Sequence, residues 1–191
     1  MLDRVQTVAG AEAKRASAFG NWAGASADGL KLSERRGLTV IELAGFGRGD
    51  GVRQALSDAL GIALPKAGHS AETSGIAALS AGPGRWLLLA PEAAMAGLPN
   101  LTDEQAAVTD LTGGRAILAL TGPRAVPTLM KGTAVDLDPA VFGPGSVAAT
   151  ALAHMPAIIW RRDSGYDVIV PRTYAVSLLD WMLEAGGLAK A

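Results

Sequence analysis

The sequence predicts an α+β protein built from two duplicated ferredoxin-like units that pack together. Apolar runs of strand length and amphipathic helical stretches follow one another without the strict alternation of a doubly wound parallel sheet. The same order of elements recurs at a period of roughly 80 residues, with 38–45 matching 115–122 and 84–91 matching 165–171. An internal duplication of one unit explains both observations.

The composition is that of a folded protein and not of a nucleic-acid binder. The 191 residues are 49% hydrophobic and 18% charged, and the formal net charge is -1. A chain of this length can bury the core of one large domain or of two small packed units. Because Lys and Arg are not in excess, there is little to release counterions from a phosphate backbone, so no nucleic-acid partner is expected.

The sequence also indicates where in the cell the protein is found. The sequence contains no cysteine, which excludes disulfides and thiolate metal sites. The N-terminal stretch carries scattered charges instead of the apolar core of a secretory signal. The apolar runs are far shorter than the roughly 20 residues of a membrane-spanning helix. We therefore expect a cytoplasmic protein with no membrane association.

The domain limits follow from a change in composition. Residues 1–30 are rich in Ala, Gly and Ser and are expected to form an N-terminal arm that orders only against another surface. Trp22 is expected to dock on the chain's own domain, because its large ring would otherwise stay exposed. The domain proper is expected over 31–191, with halves at about 31–112 and 113–191.

The first half contains a strand, a turn and a helix in succession. The apolar run 38–44 predicts a strand, and the glycine-rich segment 45–51 predicts a turn. Asp50 is expected to cap a helix that has one apolar stripe and ends at Gly61. The segment 65–74 is expected to be a loop. Further strands are expected over 76–79, 85–89 and 108–111.

The second half repeats this pattern. A strand over 115–120 leads to a helix that starts at Gly122-Pro123. Pro127 lacks a helical N–H, so this helix should be short or kinked. A loop is expected over 136–145. An antiparallel meander is expected over 147–152, 157–161 and 166–170.

The last helix is expected to begin at Thr173 as its cap and to end at Gly186-Gly187. Helical spacing defines one apolar face along it. The residues of that face are Tyr174, Leu178, Trp181, Met182 and Ala185.

The motifs that would carry chemistry are incomplete. The turn 45–51 does not have the G-x-G-x-x-G spacing of a dinucleotide site, and no Walker triplet is present. The two histidines, His69 and His154, lack the spacing of a metal pair on one helix. The segment 68–72 approaches a nucleophile elbow around Ser70, but Glu72 replaces its second glycine. No catalytic, cofactor-binding or metal-binding residue is assigned.

Acidic residues of the second half are expected to bind backbone N–H groups locally, because they fall in turns or beside them. They are Asp136, Asp138, Asp163 and Asp167.

A candidate partner interface comes from large amphipathic side chains near the last strands. Aromatic rings combined with guanidinium groups are typical of the buried centres of protein interfaces. Trp160 followed by two arginines fits an interface or a solvated strand edge, and His154 fits an interior or interface histidine. The candidate residues are Trp160, Arg161, Arg162, His154, Tyr166 and Arg172.

Several short blocks follow one another in a recognisable order. They are LG at 60–61, LP at 64–65, GPGRWLL at 82–88, TDLTGGRA at 109–116, LTGP at 120–123, KG at 131–132, DLDP at 136–139, FGPG at 142–145, LAH at 152–154 and YDVIVPRTY at 166–174. Together these blocks resemble the sarcosine oxidase gamma subunit family. The resemblance covers about residues 30–187, and none of its blocks is diagnostic alone. Gly84-Arg85 stands where that family usually has an acidic pair, and Thr133 stands where a cysteine is common.

The resemblance implies a non-catalytic accessory subunit of a heterotetrameric sarcosine oxidase, with alpha, beta and delta subunits as partners. Such a complex oxidises sarcosine to glycine with hydrogen peroxide and, with tetrahydrofolate, forms methylenetetrahydrofolate. The resemblance implies FAD, FMN, NAD and zinc on other subunits and no cofactor on this chain. It also implies the folate-binding fold of glycine cleavage system aminomethyltransferases.

Two alternatives are open at this point. The first is a free-standing folate-binding one-carbon protein of the aminomethyltransferase type, which would need a pocket with convergent charged groups. The second is a ferredoxin-like RNA-binding module. The net charge of -1 and the aromatic content of 5% disfavour that module.

Overall fold

Two antiparallel sheets lie face to face in this computed structural model, which describes residues 16–47, 50–96 and 105–189. Helices cover the outer side of each sheet. The elements up to the middle of the chain are β1 Ala25–Ala27, β2 Leu30–Glu34, β3 Thr39–Gly45, α1 Asp50–Leu60, β4 Ser70–Thr73, β5 Ile76–Gly82, β6 Arg85–Ala90, α2 Glu92–Met95 and β7 Ala106–Asp110. The others are β8 Arg115–Thr121, α3 Ala125–Leu129, β9 Val147–Leu152, β10 Met155–Arg162, β11 Gly165–Pro171 and α4 Ala175–Gly186.

The order of the strands relates the two sheets to each other. The first sheet has the order β4-β5-β6-β3-β7, and the second has the order β9-β10-β11-β8-β2-β1. Read in this direction, β4, β5, β6 and β3 correspond to β9, β10, β11 and β8, and β7 takes the place of β2. The α+β class with two antiparallel sheets is confirmed, and the matching orders support an internal duplication.

The strongly apolar strands agree with the prediction. Strands β3, β6, β8 and β11 lie within one or two residues of the expected ranges, and the meander β9-β10-β11 forms as expected. Helix α1 ends at Gly61, whose φ of +66° is left-handed. Helix α3 has only five residues and contains Pro127, so the expectation of a short helix is confirmed.

Two expectations about local structure are wrong. Residues 70–73 form β4 and pair with β5, although 65–74 is expected to be a loop. Thr173 does not cap α4, because residues 172–174 form a 3₁₀ turn and Tyr174 precedes the α-helix. Tyr174 is 39% exposed, so the buried face is offset from the expected one. That face comprises Ala175, Leu178, Leu179, Met182, Leu183 and Gly186.

Within the described part of the chain, three apolar clusters hold the layers together. One lies between the second sheet and helices α3 and α4, and another lies between the first sheet and α1. The third joins the two sheets and includes Val40, Leu87 and Ile169. Trp22 packs into the first cluster beside Phe19, with 8% of its surface exposed. Docking of Trp22 on the chain's own domain is thereby confirmed.

The start of the described chain joins the second sheet. Residues 25–27 form β1 and residues 30–34 form β2, which pairs with β8. Part of the stretch expected as an arm is therefore strand. Among the described residues, no helix has the length and hydropathy that crossing a bilayer requires.

Candidate functional site

The hairpin β10-β11 brings four of the six candidate residues together. Trp160 lies opposite Asp167, and Arg161 lies opposite Tyr166. Because side chains alternate along a strand, Trp160 points toward the other sheet and Tyr166 toward the helices. The hairpin therefore presents aromatic and guanidinium groups on both faces of the second sheet.

Asp167 is the buried centre of this group. Its carboxylate accepts hydrogen bonds from Arg35 Nη1 at 2.5 Å and from Arg162 Nη1 at 3.3 Å. The expectation that Asp167 binds backbone N–H groups in a turn is wrong, because Asp167 lies inside β11 and is fully buried. A buried carboxylate is costly unless it is paired, and two arginines pair it here. Two positive charges and one negative charge leave a net charge of about +1 on the cluster.

Trp160 connects the two sheets through a polar contact. Its Nε1 donates to Ser70 Oγ at 3.0 Å, and Ser70 Oγ donates to the carbonyl of Gly145 at 3.1 Å. Ser70 is the first residue of β4 and does not sit in a strand-to-helix turn, so the segment 68–72 lacks the geometry of a nucleophile elbow. The Ser70 hydroxyl serves to fasten one sheet to the other.

Tyr166 packs between an arginine and another aromatic ring. The Arg161 guanidinium carbon lies 4.5 Å from the centre of the Tyr166 ring, and Phe142 stacks on the ring at 6.4 Å. Burial raises the pKa of the Tyr166 hydroxyl, and the Arg161 charge opposes this in part. Arg161 approaches this hydroxyl closely enough to oppose the rise of its pKa, but among the described residues no hydrogen bond of ordinary geometry reaches the hydroxyl.

An open cleft of about 400 Å³ lies beside the hairpin. Its lining includes Ser70 and Glu72 from the first sheet and Trp160, Arg161 and Arg162 from the second. Trp160 and Tyr166 are only 4% and 1% exposed, so their rings are packed inside this chain and are not available to a partner. Arg161 and Arg162 are only partly buried and line the cleft, so they keep some surface that a partner can contact.

The other two candidate residues lie elsewhere. His154 is exposed in the turn between β9 and β10 at a φ of +64°, so it is not an interior histidine. Arg172 follows β11, and its Nη2 donates to the carbonyls of Ala16 and Ser17, each at 3.0 Å. Neither residue touches the Asp167 cluster through a described contact. Arg35 belongs to the cluster but was not a candidate, since nothing local links it to β11.

The glycine-rich turn has a packing explanation. A Cβ at Gly45 would lie 2.8 Å from Val52 Cγ1 and 3.0 Å from Leu56 Cδ1, so glycine lets α1 pack closely on β3. The turn lies beside a cleft of about 580 Å³, and residues 48 and 49 are outside the described part of the chain. In the described part, no group of three or more His, Asp or Glu side chains is placed to hold a metal ion.

The chain is similar to known proteins along most of its length. A profile of the family described as "Sarcosine oxidase, gamma subunit family" matches residues 48–187. "Sarcosine oxidase subunit gamma" of Corynebacterium sp. (strain P-1) is 34% identical over 143 residues, which are 72% of this chain and 70% of that protein. The Arthrobacter sp. protein of the same name is 32% identical over 173 residues, which are 83% and 85% of the two chains.

The chain also superposes on chains of known structure. A chain of the heterotetrameric sarcosine oxidase from Corynebacterium sp. U-96, in complex with pyrrole 2-carboxylate, superposes with a TM-score of 0.73 and 29% identity. The match covers 86% of this chain and 88% of that one. The glycine cleavage system aminomethyltransferase T from Bartonella henselae matches 81% of this chain and 45% of its own, with a TM-score of 0.54 and 20% identity. At 20% identity, that likeness concerns the fold alone.

Proposed function

Because the chain belongs to the sarcosine oxidase gamma subunit family, we propose that it serves as an accessory subunit of a heterotetrameric sarcosine oxidase. The observation that carries this proposal is the structural match to a chain of such an enzyme, at a TM-score of 0.73 over 86% of this chain. The match extends over nearly the whole relative, so the likeness is to an entire subunit and not to one shared motif. The complex oxidises sarcosine to glycine with hydrogen peroxide and, with tetrahydrofolate, forms methylenetetrahydrofolate.

In this proposal the other chains carry the redox chemistry. The alpha, beta and delta subunits are the partners, they hold FAD, FMN, NAD and zinc, and the complex is cytoplasmic. Most polar groups of the candidate site on this chain already serve its own fold. The Asp167 carboxylate binds Arg35 and Arg162, and the Ser70 hydroxyl binds Trp160 and Gly145.

The rim of the cleft at the β10-β11 hairpin is the proposed contact surface among the candidate residues. Arg161 and Arg162 are half-buried, and the rings beneath them, Tyr166 and Trp160, hold their guanidinium groups in place. An ordered guanidinium loses less side-chain entropy on binding than a free one does. The net charge of about +1 on the underlying cluster favours an acidic patch on the partner.

Affinity purification tests the proposed role. The chain is tagged in its native host, isolated gently, and analysed by mass spectrometry and visible absorption. We expect three further subunits and the absorption bands of bound flavin. A colourless protein that purifies alone would contradict the proposal and would favour a free-standing folate binder, which a tetrahydrofolate titration then tests directly.

A further inference from the structure

Among the described residues, no strand lies on the outer side of the edge strand β7, whereas its counterpart β2 in the other sheet is paired there with β1. In the second sheet, β2 occupies the fifth position and β1 adds a sixth strand to it. In the first sheet, β7 occupies the fifth position, and among the described residues no strand lies beyond it. The matching strand orders therefore place two equivalent edge positions in this chain, and among the described residues one is paired with a further strand and the other is not.

Apart from the buried Ala106, the side chains of β7 are exposed on both faces of the sheet. Residues 107–110 are all exposed, and Val108 is 52% exposed. Natural edge strands are usually protected by lysines, prolines, bulges or covering loops. Strand β7 has the sequence AAVTD, which contains no lysine or proline and places its one charge at the end.

The other edges of the two sheets are shorter or partly covered. Strand β1 has only three residues. Strand β4 is bonded to the segment that precedes β9, since Ser70 N donates to the Gly145 carbonyl at 2.7 Å. The first residue of β9 is also bonded, because Val147 N donates to the Gly68 carbonyl at 2.9 Å. Only β7, among the described strands, has four consecutive exposed side chains at an edge.

The backbone of β7 is oriented to accept a further strand. Phe46 N donates to the Gln105 carbonyl at 3.1 Å, and Leu111 N donates to the Val40 carbonyl at 2.8 Å. Because hydrogen-bonding residues alternate in an antiparallel pair, odd-numbered residues of β7 face β3. The N–H and C=O groups of Ala106 and Val108 therefore point to the open side.

The strand is also held in place before any partner arrives. Thr112 N donates to Asp110 Oδ1 at 2.8 Å, and Val40 N donates to Thr112 Oγ1 at 3.0 Å. These bonds fasten the end of β7 to β3. A template that is already ordered costs less entropy when a second strand adds to it.

We propose that β7 is a docking edge on which an extended segment of a partner subunit adds as a sixth, antiparallel strand. The identity of the partner rests on the proposed function, since the structural relative is a heterotetramer and supplies unlike chains. Strand β1, which fills the corresponding position beside β2, is the antiparallel, uncharged segment Ala25–Ala27. By analogy, the partner's segment is expected to be extended, antiparallel and uncharged. The uncharged side chains of Ala107, Val108 and Thr109 match such a segment.

The test is a proline at the outward-facing position of the full-length chain. Val108→Pro removes an N–H that points away from β3, so the β3-β7 pairing stays intact. Val108→Thr is the matched control, since it keeps both the N–H and the β-branched side chain. Each variant is co-expressed with the other oxidase subunits, and the fraction of chain in the complex and the amide exchange of residues 107–109 are measured.

We expect Val108→Pro to weaken assembly by about tenfold or more, while Val108→Thr assembles like the natural chain and both isolated variants melt at the natural temperature. Assembly should slow exchange at the amide of Val108 and leave those of Ala107 and Thr109 unchanged. A complex that tolerates the proline, or self-association of the isolated chain that only the proline abolishes, would overturn the proposal. If the natural chain forms no complex at all, the proposed function has failed instead.

Discussion

Arg35 and Asp167 are 132 positions apart in the sequence, yet Arg35 Nη1 lies 2.5 Å from Asp167 Oδ2. Arg35 follows β2 and reaches across β8, the strand between β2 and β11, to the buried carboxylate. The ion pair therefore ties the start of the described chain to the middle of the second sheet. The other carboxylate oxygen, Asp167 Oδ1, accepts a hydrogen bond from Arg162 Nη1 at 3.3 Å.

Replacing the buried carboxylate tests this cluster. Asp167→Asn keeps the shape of the side chain but leaves two arginines without their anion, so the free energy of unfolding should fall by about 1–3 kcal/mol. The range is modest because both arginine side chains are about one third exposed and water screens them. Urea denaturation measures the change. Asp163→Asn, in the exposed turn of the same hairpin, should stay within about 0.5 kcal/mol. Equal effects of the two would refute the central role of Asp167.

The glycine-rich turn gives a matched pair of substitutions. Gly45→Ala should destabilise the protein by about 1–3 kcal/mol, because its Cβ would lie 2.8 Å from Val52 Cγ1. Gly51→Ala, inside α1, meets no described atom within 4 Å and should be neutral or stabilising by up to about 1 kcal/mol. Thermal melting of both variants decides the matter. A tolerated Gly45→Ala would remove the packing explanation for the glycine.

Tyr166 gives a prediction for high pH. Burial raises the pKa of its hydroxyl above 10.0, so the folded state holds the proton more tightly than the unfolded state does. This contribution to stability is complete below pH of about 10 and is lost as the pH rises toward the folded pKa. Tyr166→Phe should abolish this loss of stability at high pH. Near pH 7 the variant's free energy of unfolding should be unchanged or higher by up to about 1 kcal/mol.

Urea denaturation at several pH values measures this effect, with Tyr174→Phe as the control at an exposed tyrosine. A loss of more than about 1 kcal/mol in Tyr166→Phe near pH 7 would show that the hydroxyl has a stabilising partner.

The proposed rim contact has a kinetic signature. Arg161→Gln removes a positive charge at the cleft without breaking the pair of Asp167 with Arg162, and it should slow association with the other subunits by up to about fivefold. The difference should shrink at high salt, where exposed charges are screened. Arg85→Gln, at an exposed arginine at the start of β6, is the control. If the two variants associate equally fast, the rim does not contact the partner.

The sequence predicted the elements whose pattern is local. Strand β6 is a continuous apolar run after Arg85, and β11 is apolar apart from Asp167; both are buried on both faces. Helix α1 has a clear apolar stripe and stops before Gly61. Strand β4 was missed because its polar sequence SAET becomes a strand only through pairing with β5.

The candidate site was less predictable than the fold. Asp167 comes soon after a turn and has a side chain typical of turns, so the local sequence predicts a turn residue, whereas its partner Arg35 lies just after the distant strand β2. Trp160 and Tyr166 were recognised as important, but their contacts with Ser70 and Phe142 join residues that the sequence does not place near them. Contacts between residues this far apart follow from the topology of the sheets.

Peroxide formation is the most direct test of the accessory-subunit account. The material isolated through the tagged chain is supplied with sarcosine and oxygen, and hydrogen peroxide is measured against a control with glycine in place of sarcosine. The account predicts sarcosine-dependent peroxide from the fraction that contains the other subunits. Isolated material with no such activity, from cells whose extract oxidises sarcosine, would contradict it.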